Sequence, residues 1–435
     1  GGAGLSAAVT LHDLGREVVV LEKMPMIGGN TVRAEGGINA AETPQQKKAG
    51  IPDTIDQFYA DTMKGGHNLN DPALVRTLTT HAKDAVAWLV SLGADLNTVG
   101  RAGGAKYPRA HRPTDGSAIG PEVIRVLWKA AKDRKMDVRT QTRATEIIMK
   151  DGRVAGVKAT TKDGKVYTID AKAVVLATGG FGANQDMLVK YQPKLKGYAT
   201  TNQPGATGDG IILAEHAGAA LVDMKQIQAH PTAAPDGTLI SESVRGDGGI
   251  LINAEGKRFT NELLTRDVVS AAELKQPGRF AWVFWDDATR KSAKLMDSYI
   301  SMGLAVKGNT VAEIAKAMNV PAAELEATLK AYAAGKAAGK DAFARADMPQ
   351  AMQTAPFFAV KVQPAVHHTM GGVKIDTKAE VLNPAGHTIP GLFAAGEVTG
   401  GVHGGNRLGG NAQADIVTFG RIAGQSADAY LKTAQ

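Results

Sequence analysis

The 435-residue sequence contains no cysteine. This absence excludes disulfide bonds, thiolate metal sites, thiol catalysis and covalent haem attachment through a Cys-x-x-Cys-His motif. Long apolar runs are missing as well, because the stretch over residues 85–92 falls far short of the roughly 18 residues that a membrane helix needs. We therefore expect no membrane span and no chemistry that depends on sulfur nucleophiles.

Charge of one sign is nowhere concentrated. The chain has 50 Lys and Arg against 43 Asp and Glu, a formal net charge of +7, without a run of five or six like charges. No basic stretch with interleaved aromatic residues occurs, so we expect no nucleic-acid partner. The mild positive excess suits an anionic substrate. The length exceeds what one hydrophobic core usually supports and predicts two or three domains.

Glycine is abundant, with 51 residues, and many lie in two loops near the C-terminus. Residues 366–372 read Val-His-His-Thr-Met-Gly-Gly, and residues 396–411 place Arg407 between two Gly-Gly pairs. Bare backbone allows a large ligand to approach closely, while histidine and arginine side chains between the glycines can hold a carboxylate. The two loops therefore predict a ligand-binding site.

The N-terminal segment predicts a dinucleotide-binding unit. Gly1 and Gly4 precede a small-residue helix that Gly15 stops, and an apolar strand follows and ends at Glu22. Phosphate loop, helix, strand and terminal acid are in the order of a βαβ dinucleotide fold, in which the acid accepts from ribose hydroxyls. The first strand and first glycine of that motif are missing, so we interpret the sequence as the C-terminal part of a longer chain.

Two further segments favour a flavin over a nicotinamide dinucleotide. Residues 28–39 supply two Gly-Gly pairs almost directly after Glu22, as suits backbone that packs on a pyrophosphate and a flat ring. Residues 173–180 form an apolar strand that ends in Gly-Gly, after two Asp-Gly turns at 151–152 and 163–164 that predict a three-stranded antiparallel meander. This layout predicts an α/β flavoprotein with two dinucleotide folds.

Specific motifs give the sequence a close resemblance to a known family. Residues 228–232 (Gln-Ala-His-Pro-Thr), 241–246 (Ser-Glu-Ser-Val-Arg-Gly) and 261–267 (Asn-Glu-Leu-Leu-Thr-Arg-Asp), with the two C-terminal loops, resemble the soluble fumarate reductase flavoproteins of the flavocytochrome c group. The resemblance covers essentially the whole chain. It implies FAD-dependent reduction of fumarate to succinate, with hydride from flavin N5. Asn30 stands where membrane-bound relatives attach FAD through histidine, which implies non-covalent FAD.

The resemblance also implies roles in catalysis. Arg266 matches the family's proton donor, and Glu242 with Arg245 matches its proton relay. Two clamps on the substrate carboxylates are implied, and the substrate-contacting set is His230, Ser241, Glu242, His367, Arg407 and Gly410. His367 and Arg407 would hold one carboxylate, and His230 and Ser241 the other.

FAD contacts are implied along the whole chain. They comprise Gly1, Ala3, Gly4, Glu22, Lys23, Asn30, Thr31, Gly36, Gly37, Ala144, Thr178, Gly179, Asp209, His368, Glu397, Ala412 and Gln413. A monovalent cation site, expected for Na⁺, is implied at Thr369, Met370, Gly371, Glu397 and Thr399. Residues 410–413 should direct backbone N–H groups at the flavin, aided by a helix N-terminus.

The motif positions predict a discontinuous FAD-binding domain, residues 1–226 and 363–435. An α+β clamp, residues 227–362, is predicted to close over the substrate and exclude water. The family resemblance implies a haem domain or cytochrome as electron donor and a periplasmic location.

Alternative readings stay open. Leu239 and Ser241 stand where relatives commonly have Met and Thr, so a urocanate- or acrylate-type enoate could be the substrate. L-Aspartate oxidase is a further alternative, and a non-enzymatic flavin electron relay is the least favoured. Arg266 and Asp267 could instead form a surface ion pair. His367 and His368 could be metal ligands, although the sequence offers no third ligand at metal-site spacing.

Overall fold

The structure, a computed structural model, describes residues 1–434. The helices are α1 Gly2–Asp13, α2 Pro44–Lys48, α3 Ile55–Gly65, α4 Pro72–Ser91, α5 Ile119–Asp133, α6 Gln185–Tyr191, α7 Asp209–His216, α8 Glu242–Gly246, α9 Arg266–Leu274, α10 Asp287–Arg290, α11 Leu295–Ser301, α12 Val311–Met318, α13 Ala322–Ala338 and α14 Asn411–Thr433. The strands are β1 Val19–Leu21, β2 Ile38–Asn39, β3 Thr98–Gly100, β4 Ala110–Arg112, β5 Asp137–Arg139, β6 Thr142–Lys150, β7 Arg153–Thr161, β8 Val166–Asp170, β9 Val174–Leu176, β10 Leu221–Val222, β11 Ile227–Ala233, β12 Ile250–Ile252, β13 Ala281–Asp286, β14 Ala305–Gly308, β15 Phe357–Thr369, β16 Gly372–Lys374, β17 Glu380–Leu382, β18 Thr388–Ala394 and β19 Thr399–Gly400.

Helix α1 and strand β1 follow each other as the N-terminal motif predicts. β1 pairs in parallel with β5, and α1 packs against the C-terminal helix α14. The two helices come very close, since a Cβ at Gly420 would lie 2.6 Å from the carbonyl oxygen of Ala3. Only glycine allows this approach, which joins the first and last helices of the chain.

The predicted meander is confirmed. Strands β6, β7 and β8 pair antiparallel in sequence order. Asp151 and Gly152 both have positive φ, 51° and 74°, as a tight two-residue hairpin turn requires. β9 then pairs in parallel with β18, which brings the Gly-Gly end of residues 173–180 beside the C-terminal part of the chain.

The segment 227–362 is built around a different sheet. β12, β13 and β15 pair antiparallel, β14 also pairs with β15, and two hydrophobic clusters separate from the main core pack on this sheet. β15 is 13 residues long and continues beyond β13 to pair with β11. The predicted boundary between residues 362 and 363 therefore lies inside β15. Over residues 1–434, no helix is both long and apolar enough to cross a bilayer.

Candidate active site

A cavity of about 780 Å³ runs between the starts of α1 and α14 and reaches the ends of β11 and β15. Its volume is in the upper part of the roughly 300–1,000 Å³ range of ligand pockets. Every residue that the sequence predicts to contact FAD or substrate lines it. Arg245 does not line it, and neither do Thr369, Met370, Gly371 and Thr399.

One end of the cavity is formed by the N-terminus of α1. Gly1 is the N-cap residue, and no side chain among residues 1–434 caps this end in the usual way, although Thr31 Oγ1 accepts from the N–H of Gly2 at 2.9 Å. Glu22 follows β1 directly, and its carboxylate accepts from the N–H of Met24 at 2.9 Å. A bare helix N-terminus near an acid that ends a strand suits a pyrophosphate and a ribose.

Two polar clusters lie farther along the same wall. Lys23 Nζ donates to Asp209 at 3.2 Å, and Arg143 Nε donates to the same carboxylate at 2.8 Å. Asn30 is held on both sides of its amide, since its Nδ2 donates to Asn202 Oδ1 at 2.6 Å and its Oδ1 accepts from the N–H of Gln203 at 2.8 Å. These bonds fix the segment that carries the Gly-Gly pairs.

The start of α14 forms a second bare helix N-terminus. Gly410 is its N-cap with φ 85°, and within the described chain no side chain caps it. Asn39 braces this turn, donating from Nδ2 to Gly409 O at 2.8 Å and to Asn411 Oδ1 at 2.7 Å. A Cβ at position 410 would lie 2.3 Å from Asn39 Oδ1, so glycine is required there. The first turn of α14 thus presents backbone, without side-chain competition, to a ligand.

Arg266 begins α9 and is almost fully buried, with 6% of its surface exposed. Its Nη2 and Nε donate to Glu242 Oε2 at 2.9 and 3.2 Å. Its Nη1 donates to Gln228 Oε1 at 3.2 Å. The guanidinium is therefore held on two sides at the cavity wall. Asp267 pairs with His67 instead, at 2.7 Å, so the alternative of an Arg266–Asp267 ion pair is wrong.

Glu242 lies between two arginines. Arg245 is on the same short helix, α8, with its Nη2 3.8 Å from Glu242 Oε1, and its Nη1 donates to the carbonyl of Glu262 at 2.8 Å. Burial alone would raise the pKa of Glu242, but the charges of Arg266 and Arg245 outweigh it and the pKa is lowered. Glu242 is therefore ionised at neutral pH, hydrogen-bonded to Arg266 and in a longer ion pair with Arg245.

His230 and His367 meet on the neighbouring strands β11 and β15. Their ring centroids are 4.8 Å apart in an edge-to-face arrangement. Burial, followed by the positive charge of Arg266, places the pKa of both rings well below the ordinary histidine value. His230 Nδ1 accepts from the N–H of Thr232 at 3.1 Å, so the neutral ring carries its proton on Nε2. Thr201 Oγ1 lies 2.6 Å from His367 Nδ1 and fixes that ring.

Arg407 supplies a second buried cation beside these histidines. Its backbone carbonyl accepts from Gln228 Nε2 at 2.7 Å, while its Nε has no hydrogen-bond partner within the part of the chain that the structure describes. Burial, with the neighbouring charge of Arg266, lowers the pKa of Arg407 to about 9. A buried guanidinium with an unpaired N–H beside a cavity is suited to bind an anion.

The remaining predicted residues surround this centre. Ser241 Oγ accepts from the N–H of Ser243 at 3.1 Å, and Leu239 lines the same wall. His368 Nδ1 is 3.7 Å from Glu397, and Glu397 Oε1 also accepts from the N–H of Thr369 at 3.0 Å. Burial raises the pKa of Glu397. Residues 1–434 contain no group of three or more His, Cys, Asp or Glu that could hold a metal ion.

Several site residues escaped sequence reasoning. Gln228 orients both Arg266 and Arg407, and it lies in the quoted 228–232 motif, so that motif could have identified it. Asn39, which braces the start of α14, is the last residue of the segment 28–39 that holds the Gly-Gly pairs, so that segment could have identified it. Thr201 has no local signal, because its partner His367 is distant in sequence.

Glu273, which does not line the cavity, was not predicted from the sequence either. It is fully buried on α9, and neither carboxyl oxygen has a partner within residues 1–434. Burial places its pKa well above the ordinary value, with the charge of Arg245 opposing.

Comparison with known proteins agrees with this architecture. The family described as FAD binding domain matches residues 1–412. Fumarate reductase (cytochrome) of Shewanella frigidimarina is 50% identical over 435 residues, which cover 99% of this chain and 76% of that protein. NADH:fumarate oxidoreductase of Klebsiella pneumoniae is 46% identical over 430 residues, which cover 98% of this chain and 46% of that protein.

Among solved structures, the open conformation of a flavocytochrome c3 fumarate reductase matches with a TM-score of 0.81 and 47% identity, covering 99% of this chain and 77% of that one. These matches confirm the predicted α/β flavoprotein fold. The chain belongs to the FAD binding domain family and, within it, to the flavocytochrome c fumarate reductase group.

Proposed function

We propose that this protein is an FAD-dependent fumarate reductase, which converts fumarate to succinate with two electrons and two protons. The observation that carries the proposal is Arg266, buried at the cavity wall between Glu242 and Gln228 and accompanied there by Arg407, His230 and His367. Relatives that share half of the sequence over nearly the whole chain bear the name fumarate reductase.

The residues at the N-termini of α1 and α14 suit FAD. The bare N-terminus of α1 and Glu22 would hold the pyrophosphate and adenosine ribose, and the first turn of α14 would face the flavin ring. When bound, FAD supplies the hydride that saturates one carbon of the double bond. Asn30, whose amide is bonded to Asn202 and Gln203, offers no nucleophile for a covalent link, so we propose non-covalent FAD.

The cavity would bind a dicarboxylate through neutral and cationic donors. Arg407, whose Nε has no hydrogen-bond partner within residues 1–434, and His367 would hold one carboxylate, and His230 with Ser241 the other. Since both histidines are neutral, they donate without adding repulsion between the cations around them. As negative charge develops on one carboxylate during reduction, these fixed donors stabilise the transition state more than the ground state.

Proton delivery is proposed to come from Arg266. Its two bonds to Glu242 hold the guanidinium at the cavity wall, and the ionised Glu242 bridges it to Arg245. A proton lost from Arg266 to the substrate carbon would be replaced through Glu242 from Arg245. We propose Arg266 as the catalytic acid and Glu242 with Arg245 as its relay.

Four further proposals concern the surroundings. We propose a Na⁺ site at Thr369, Met370, Gly371, Glu397 and Thr399, supported by the contact of Glu397 Oε1 with the N–H of Thr369 and by the pairing of Thr399 with Val373, two residues after Gly371. A haem-containing electron donor is supported by the relatives named fumarate reductase (cytochrome). A periplasmic location in anaerobic electron transport is proposed from the family resemblance. The segment 227–362 is proposed as a clamp over the substrate.

The deciding experiment mixes chemically reduced protein with candidate oxidants under anaerobic conditions and follows reoxidation of the flavin by absorbance. We expect rapid reoxidation by fumarate and slow reoxidation by urocanate and acrylate. Faster reoxidation by either of those enoates would identify a different enoate reductase. Reduction of the oxidised protein by L-aspartate, with fast reaction with oxygen, would identify an L-aspartate oxidase. If the flavin reacts with none of fumarate, urocanate, acrylate and L-aspartate, the non-enzymatic flavin electron relay is the remaining alternative.

A further inference from the structure

A hydrogen-bonded chain connects Glu35 to Ser241. The hydroxyl of Tyr299 donates to Glu35 Oε2 and accepts from the backbone N–H of Ser241, the latter at 2.9 Å. Glu35 directly precedes Gly36 and Gly37 on the proposed FAD side, whereas Tyr299 and Ser241 belong to the proposed clamp. The chain therefore joins the two parts of the protein at the wall of the cavity.

Tyr299 is fixed in place by its surroundings. The side chain is 1% exposed on α11 and packs edge-to-face on Trp285, with ring centroids 6.5 Å apart. Because the ring cannot move without disturbing this core, its hydroxyl is a defined point from which Ser241 is held. The rigid ring also defines where the carboxyl of Glu35 lies.

The position of Ser241 affects both the proposed substrate contact and the start of helix α8. Its Oγ caps α8 by accepting from the N–H of Ser243 at 3.1 Å, and Glu242, which holds Arg266, is the first residue of that helix. A displacement of the Ser241 backbone would therefore move the Ser241 hydroxyl, which is proposed to bind the second carboxylate. It would then move Glu242, which belongs to the proposed proton relay. Glu35 itself lines the cavity beside this wall.

We infer that Glu35, acting through Tyr299, is a positioning residue for Ser241, and that a negative charge on Glu35 weakens binding of the substrate's second carboxylate. This inference rests on the proposed fumarate reductase function. It assigns to Glu35 a part in dicarboxylate affinity and none in the transfer of hydride or proton.

The charge on Glu35 is set within the neutral pH range. Burial raises its pKa to about 7, opposed by the hydrogen bonds from Tyr299 and the Ser241 backbone. Besides burial, Tyr299 on α11 and the Ser241 N–H at the start of α8 are the groups that shift its pKa, and no other ionisable side chain among residues 1–434 contributes to the shift. Burial also raises the pKa of Tyr299 well above its usual value, so the hydroxyl stays neutral. As pH rises through 7, a carboxylate forms next to the site of an anionic substrate and repels it.

The test compares steady-state fumarate reduction by the wild-type protein and three variants between pH 6 and 8.5, with FAD content and unfolding midpoint as folding checks. For the wild-type protein we expect KM to rise about tenfold over this range. Glu35→Gln keeps an acceptor for Tyr299 but cannot ionise, so its KM should change far less. Tyr299→Phe should raise KM about tenfold at every pH while kcat falls less than threefold. Tyr332→Phe, which removes another buried hydroxyl at a residue outside the cavity lining, should match the wild type.

A Glu35→Gln variant with the pH slope of the wild type would overturn the charge effect. A Tyr299→Phe variant with wild-type KM would overturn the positioning role. If Tyr299→Phe fails to fold, the pH slope of Glu35→Gln decides the inference alone. Failure of the proposed function has a different signature, because the wild-type protein itself would then not reduce fumarate, which would overturn both.

Discussion

Replacing Arg266 with alanine removes the proposed acid and leaves Glu242 with one arginine. The guanidinium and carboxylate are 2.9 Å apart and nearly fully buried. At an effective dielectric constant of about 20, unit charges at that distance attract by about 6 kcal/mol. Breaking a buried pair costs about 3–5 kcal/mol of net stability, and Arg245, 3.8 Å from Glu242, should keep the cost near 3 kcal/mol.

The effect on turnover should be far larger than the effect on folding. Loss of a general acid lowers kcat by about 10²–10⁴-fold, and since alanine offers no proton in place of the guanidinium, we expect the upper part of that range. FAD should stay bound, since the residues at the starts of α1 and α14 are untouched. The assay is anaerobic reoxidation of the reduced flavin by fumarate in a stopped-flow instrument.

Arg258→Ala is the matched control. Arg258 is almost fully buried with its Nη2 2.8 Å from Glu262, and that glutamate keeps a second partner in Arg345, as Glu242 keeps Arg245. We expect both variants to lose comparable stability and only Arg266→Ala to lose turnover. Turnover by Arg266→Ala within tenfold of the wild type, or an equal loss in Arg258→Ala, would refute the reasoning.

Three further outcomes are expected. Arg407→Ala should raise KM for fumarate about 100-fold and also lower kcat, because a charge-assisted contact to the substrate is lost; a normal KM in steady-state kinetics would contradict the carboxylate clamp. Because the fold keeps His367 neutral while the unfolded chain protonates near pH 6.5, wild-type stability should fall relative to His367→Gln by about 1.4 kcal/mol per pH unit below 6.5, measured by denaturant unfolding; a pH-independent difference would exclude this. Acid precipitation should release all FAD into the supernatant, whereas yellow colour in the pellet would show a covalent link through or near Asn30.

The sequence predicted those parts of the fold that local chemistry determines. Asp-Gly suits a two-residue turn with positive φ, so residues 151–152 predicted a hairpin. A small-residue helix before a strand that ends at Glu22 predicted the dinucleotide-binding unit. The partner of β9 was not predictable in this way, because β18 lies far along the chain and its pairing depends on the whole fold.

The same distinction applies to the site. Motif matches pointed to Arg266, Arg407 and the histidines, but the residues that orient them follow from tertiary packing. Thr201 reaches His367 only because the fold brings distant segments together. Glu273 was unpredictable for another reason, since an acid on a helix is usually solvent-exposed and nothing local indicates that this one is fully buried.

The pairing of strands β11 and β15 affects how residues 227–362 can move relative to the rest of the protein. They form the antiparallel ribbon through which the chain enters and leaves residues 227–362, with Ile227 opposite Thr369 and His230 opposite Ala365. Any rotation of that segment against the rest of the protein must therefore twist this ribbon. His230 and His367 are attached to it, so twisting would change the spacing of the two rings. The affinity for substrate would then depend on the angle between residues 227–362 and the rest of the protein. Binding of substrate would in turn twist β11 and β15 towards the angle at which the two rings fit it.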